Sequence, residues 1–363
     1  MNRLTGFCLL FVLLELMAFL PASTPIRLRP EPLPFTPKEF YIAAVTDQRT
    51  NRGPIARLAL TAGSPMEAID LEGGVTTAIQ QFINQSLKQD RKLRPLAMRV
   101  TECRLTETAA GNRVEGKFTF GVAFDLLGKN DFGDATTTRL TEYRSSANYT
   151  RPISQTTVIE PTIRQAIIAS LRNINEYMKR QAGQNEKLAT GITVNFKEDT
   201  RITTDDTVFY NPDRPLTWDD FRAVPRKGSH YAAEVFTSFA YDGNSTVTNG
   251  VITLNLTLKA YMLKESSWVH DVARTAYTLN HEQRHFDITK IIVERFKRRI
   301  QPDSLSIDDY NSIVQYQFIE AFRDMNRMQK QYDEETRHGQ DPLAQERWNL
   351  KIDAELRTFG VKK

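Results

Sequence analysis

The sequence predicts an α+β fold in two domains, and three observations carry that prediction. Segments alternating apolar and polar residues, as half-buried strands do, run over 96–108, 113–127 and 138–150. Two amphipathic helical stretches flank them. One covers 73–88, with Val75, Ile79, Phe82 and Ile83 on a single face; the other covers 158–180, with Ile163, Ile167, Leu171 and Ile174. After residue 188 strand-like text returns and gives way to three helical segments. At 363 residues the chain is also too long for one ordinary core. The expected organisation is a small antiparallel sheet with two helices over 37–183, then a second domain over 188–363 with a short sheet and a helical half.

Taken in order, the N-terminus comes first. Asn2 and Arg3 precede an apolar run over 7–20 that closes in Pro21-Ala22-Ser23. The run is shorter than the ~20 residues a bilayer span needs, and it ends in small residues, as a secretory signal does. Residues 1–23 are therefore expected to be a signal peptide. The mature protein would be periplasmic or secreted from a bacterial cell, with no membrane span. Cys103 would then be its only cysteine, which excludes an internal disulfide and a multi-thiolate metal site. The proline-rich residues 24–36 read as an extended linker.

A short strand over 40–45 opens the first domain, and Pro161 suits the first turn of its second helix. This domain has no histidine and no glycine-rich phosphate loop. Its expected role is support, or docking to an envelope partner. Asp70-Leu71-Glu72-Gly73-Gly74, leading into its first helix, resembles the accessory domains of envelope lipoproteins. The net charge of +4, without Lys/Arg runs interleaved with aromatics, gives no case for nucleic acid.

The second domain begins with strand-like text over 192–210, a polar-aromatic turn over 216–221, and alternating segments over 233–241 and 250–259. Helices are expected over 268–299, 306–331 and 342–356. Ser267 and Asp341 stand as caps, and Pro342 at a first helical position. All five histidines, at 230, 270, 281, 285 and 338, fall here.

Two of them form His281-Glu282-Gln283-Arg284-His285. Positions i and i+4 of a helix lie one above the other, so both imidazoles can reach one ion. Glu282 points roughly 80° to the side, placed to act as general base on water activated by zinc. Zinc is the expected metal, held by His and carboxylate. Asn280, Gln283, Arg284 and Asp287 read as outer, polar positions, with Tyr277, Ile288 and Ile292 on the histidine side.

From residue 216 to 348 the chain resembles the bacterial domain of unknown function 922 family, predicted to be secreted zinc-dependent proteases. The matching text is Leu216-Thr217-Trp218-Asp219-Asp220-Phe221, Ser267-Trp268-Val269, residues 281–288, residues 332–339 and residues 345–348. The resemblance implies a zincin-like domain with a helical metal-binding half. Arg284 departs from the small residue expected there, which bears on the shape and charge of the cleft.

A catalytic zinc wants three protein ligands and an open position. His338, in the loop after the second helix of this domain, is the expected third ligand. Glu320 is the alternative, brought level with His285 if the chain folds back around 302–304, with Asp324 one turn on. Asp287 and Glu294 lie roughly 140° and 160° from the histidine face and are expected to be solvated. Tyr332 or His230 would serve the developing oxyanion, and His270 a structural role. The function these residues suggest is a zinc metallopeptidase acting on a peptide or protein substrate. A non-catalytic envelope binding protein with a structural or inactive zinc, and a zinc amidase acting on cell-wall peptides, are the other readings.

Overall fold

The computed structural model describes residues 24–361, Asp131 and Thr200 excepted. The expected signal peptide over 1–23 lies outside the described residues. Among these, no helix is long and apolar enough to cross a membrane. The fold is α+β with mixed sheets, and the chain divides into two compact units that part near residue 180.

The first unit contains β1 (Phe40–Asp47), β2 (Ala56–Leu58), β3 (Glu67–Ile69), α1 (Gly74–Ser86), β4 (Arg94–Ala110), β5 (Arg113–Lys129), β6 (Ala135–Pro152) and α2 (Ile159–Gln181). The sheet order is β3-β2-β4-β5-β6, with β1 also on β4. The expected all-antiparallel sheet is corrected here, because β1 and β2 both pair with β4 in parallel. Parallel neighbours need a crossover, and the intervening segment with α1 supplies it. Phe118, Phe120, Val122 and Phe124 of β5 are buried, as are the apolar faces of both helices. Residues 24–36 are extended but tied down: Ile26 bridges to Leu71, Leu28 is buried, and the Leu33 N–H reaches the Ser86 carbonyl. The segment is part of this unit rather than a free linker.

The second unit contains β7 (Gly191–Glu198), β8 (Thr207–Phe209), β9 (Ala233–Glu234), β10 (Thr237–Thr248), β11 (Val251–Leu263), β12 (Trp268–Val269), α3 (Ala276–Arg299), α4 (Tyr310–Thr336) and α5 (Pro342–Thr358). β11 is central. It runs antiparallel to β10 and parallel to β7, and β8 caps its far end. Ile252, Leu254, Leu256, Leu258, Ala260 and Met262 alternate onto one buried face. α3 packs against β10 and β11 and also against α4 and α5.

That central position explains two departures from expectation. Asp287 is fully buried, taking hydrogen bonds from the Tyr210 hydroxyl, Gln283 and Arg284, each at 2.9 Å. Glu294 is buried too, paired with Lys290 and Lys297 at 2.8 Å. Over 281–296 this helix is walled in by a sheet and two helices and has no exposed residue, so the usual amphipathic reading fails there.

The start of α3 also differs. Trp268 and Val269 pair with Glu234 and Ala233 as a short ribbon, and a turn over Asp271–Ala273 follows. Thr275 is the true cap, accepting from the Thr278 N–H at 3.1 Å, a contact worth about 1 kcal/mol. Ser267 instead holds the Phe236 N–H and the Leu263 carbonyl. At α5 the Asp341 cap and Pro342 stand as the sequence predicts.

Candidate metal centre

The two histidines of α3 sit on consecutive turns with ring centroids 5.0 Å apart. His281 Nδ1 faces the Gln345 side-chain oxygen on α5 at 2.9 Å, and His285 Nδ1 faces that of Gln329 on α4. An amide oxygen can only accept, so each Nδ1 donates and each Nε2 is left to face the cleft. Both Nε2 atoms then point at one oxygen, Asp333 Oδ1, at 3.3 Å from His281 and 3.0 Å from His285. His281, His285 and Asp333 offer ligand atoms within 4.8 Å of one another, a group that could hold a metal ion.

The electrostatics agree with that arrangement. Burial opposes the charge on Asp333, yet the two imidazoles hold its carboxyl well below the usual range. Burial also opposes a charge on His285, but Asp333 outweighs it and raises the ring to about 8. Without an ion the carboxylate and a protonated imidazole compensate each other. Two imidazole nitrogens and a carboxylate oxygen suit a borderline divalent ion such as zinc better than calcium or magnesium, which take oxygen cages.

Glu282 stands beside the pair, buried, with its carboxyl raised by burial and hydrogen-bonded by the backbone of Val235. It lines a cavity of about 500 Å³ together with both histidines and Asp333. The site is therefore a cleft with room for a ligand.

His338 reaches this cavity from the turn after α4. Arg337, His338 and Gly339 all have positive φ, at 52°, 55° and 76°. Two consecutive non-glycine residues in the left-handed region are costly, and such strain persists where the surroundings enforce it. His338 Nδ1 is 3.7 Å from Asp333 Oδ1, its ring rests on Tyr231 at 4.6 Å, and its side chain is 43% exposed. It stands at the edge of the ligand group, and Asp333 takes the place beside the pair. Gly339 lies against His281, where an added Cβ would meet ring Cγ at 3.2 Å.

Several expected partners lie elsewhere. Glu320 pairs with Arg323, and Asp324 with Arg299 and Arg327. The connection from Ile300 to Asp309 is longer than a tight reversal at 302–304, so Gln329 and Asp333, about two and a half and three and a half turns beyond Glu320, are the residues of α4 that meet His285. Tyr332 does not offer its hydroxyl to the cavity: that group bonds Gln345 at 2.9 Å and the His281 carbonyl at 3.3 Å. Its ring stacks on His281 at 4.7 Å. His230 lines the cavity, whereas His270 packs on Trp268. Arg284 is neither an outer position nor a cleft residue. It is buried, bridging Asp287 and Asp353 at 2.9 and 2.6 Å, with its charge matched.

Asp333, Gln329 and Gln345 escaped the sequence reading. The usable signal was Gln329 and Asp333 one turn apart, bordering the buried stripe of Met325, Met328 and Tyr332. The 216–221 segment proves to be scaffold. Asp220 closes its own turn and pairs with Arg214, while the Leu216 N–H bonds Gln283 on α3 at 2.8 Å.

No family model matches the chain, and no curated protein does. Among solved structures, a Xanthomonas campestris protein described as DUF330 is similar over 42% of this chain and 94% of its own, at 12% identity and a TM-score of 0.29. A likeness that low fixes neither fold nor function. The resemblance to the domain of unknown function 922 family rests on the quoted segments alone.

Proposed function

We propose that the second unit is a zinc-dependent peptidase working outside the cytoplasm. The observation that carries this reading is the convergence of two Nε2 atoms on one point beside a buried carboxylate, at the wall of an accessible cavity. His281 and His285 would hold the ion, with Asp333 or His338 completing the protein ligands. Zinc, when bound, polarises a carbonyl and acidifies water. Glu282 would accept a proton from the attacking water and deliver it to the leaving amine. Its burial, which raises its proton affinity, suits a group that must take and release a proton near neutral pH. The Gln329 and Gln345 oxygens accept from each Nδ1 and so aim each Nε2 at the ion.

One observation favours a second reading. Asp333 meets the histidine pair and His338 Nδ1 lies 3.7 Å from Asp333, and four protein ligands would close the centre and leave it structural. The Glu282→Gln variant decides between them. A peptidase loses hydrolysis of an unstructured protein substrate while keeping about one zinc per chain by elemental analysis. Metal without hydrolysis in the unaltered protein would establish the structural centre, and absence of metal from it would remove both readings.

A further inference from the structure

The cavity beside the histidine pair has an aromatic rim built from three separate elements. Tyr277 lies one turn before His281 on the same face of α3 and is 41% exposed. Phe236, between β9 and β10, is 45% exposed, and Tyr231, before β9, is 48% exposed. All three line the one cavity, with Val235 and Met325 among the other apolar contributors.

These rings are held in place rather than left over. The backbone of Phe236 is pinned on both sides: its N–H donates to Ser267 Oγ at 2.9 Å, and its carbonyl accepts from the Leu263 N–H at 3.0 Å. Tyr231 rests on His338 at 4.6 Å, and its N–H donates to Ser229 Oγ at 3.2 Å. Fixed backbone with a half-exposed ring is how a protein presents apolar surface to a ligand.

The carboxylates deeper in the cavity, Glu282 and Asp333, stand with the histidine pair. Arg226 and Glu234, which also line the cavity, lie 3.5 Å apart and compensate each other. Neither an acidic nor a basic side chain would meet an uncompensated partner in them.

We infer that this rim is a subsite for a bulky apolar side chain, so that the segments this protein takes are apolar or aromatic next to the reacting bond. The inference rests on the peptidase reading for its chemistry, but its test separates the two. The probes are blocked Ala-Gly hexapeptides carrying Phe, Leu, Asp or Lys at one central position. Their binding to the zinc-loaded Glu282→Gln protein is measured by calorimetry, and their hydrolysis by the unaltered protein by chromatography.

The Phe and Leu peptides are expected to bind at least about tenfold tighter than the Asp and Lys peptides. Phe236→Ala and Tyr231→Ala, checked for folding by circular dichroism, should collapse that ratio toward one. Phe236→Leu, which keeps apolar bulk, should retain most of it. Selective binding with no hydrolysis leaves the subsite standing and removes the peptidase. Equal affinity for all four peptides, or tighter binding of a charged one, overturns the subsite.

Discussion

The Gln345 side-chain oxygen accepts from His281 Nδ1 at 2.9 Å across 64 residues of sequence, and this contact decides which nitrogen of His281 is free. Replacing it with Gln345→Met keeps most of the volume but removes the acceptor. Tyr332 retains the His281 carbonyl, so the fold should survive. Zinc affinity, measured by competition with a chelator, is expected to weaken by about 10–100-fold. An affinity equal to that of the unaltered protein would show that His281 is oriented by something else.

Gly339 has no room for a side chain. Its φ of 76° disfavours any Cβ, and an alanine methyl would press on the His281 ring at 3.2 Å. Gly339→Ala should cost about 1–2 kcal/mol in urea denaturation. It should also weaken metal binding, because the ring must shift to make room. A loss of stability with zinc affinity unchanged would mean that the turn yields and the ring does not.

Glu198 gives the second unit an acid-sensitive contact. Burial works against its charge, but Lys290 and Lys297, at 2.7 and 2.6 Å, hold its carboxyl down to about 2 from an ordinary 4.5. Glu294 shares both lysines. A carboxyl lowered on folding stabilises the native state above its unfolded pKa, and that contribution drains away as pH falls toward 2. Urea midpoints of the unaltered protein should therefore fall more steeply between about pH 4.5 and 2 than those of Glu198→Gln. Parallel curves for the two proteins would contradict this assignment. Added salt should shrink the difference, since the Glu198 side chain is half exposed.

In the first unit, Arg151 and Glu107 form a pair that is almost wholly enclosed, at 2.7 Å, with Tyr149 also donating to Glu107. Arg151→Met leaves a buried carboxylate without its cation and should destabilise the protein by about 3–5 kcal/mol. The double variant Arg151→Met, Glu107→Leu should recover much of that loss in the same denaturation series. No recovery would mean that the arginine acts mainly through its bonds to the Ala59, Ile153 and Gln155 carbonyls.

Local periodicity made much of this molecule legible. The i, i+4 spacing placed His281 and His285 on one face, and the alternating segments located β4, β5 and β6 to within a few residues. What the sequence hid depends on distance in space. Whether Glu320 or Asp333 comes level with His285 turns on the length of the connection between α3 and α4, and no local pattern states it. Burial of Asp287, Glu294 and Arg284 was equally hidden, because a polar residue looks solvated until the helices covering it are known. Strands as short as β2 and β9 carry too few residues to show an alternation.

The enclosure of α3 has a kinetic consequence. A rod gripped by the sheet, α4 and α5 cannot tilt to admit or release anything without breaking the core of the unit. Traffic through the cavity is then left to the peripheral backbone that borders it, residues 222–232 and the reversal at 337–341. Stiffening either stretch should slow exchange of a bound molecule, while the helix beneath acts as a stationary floor.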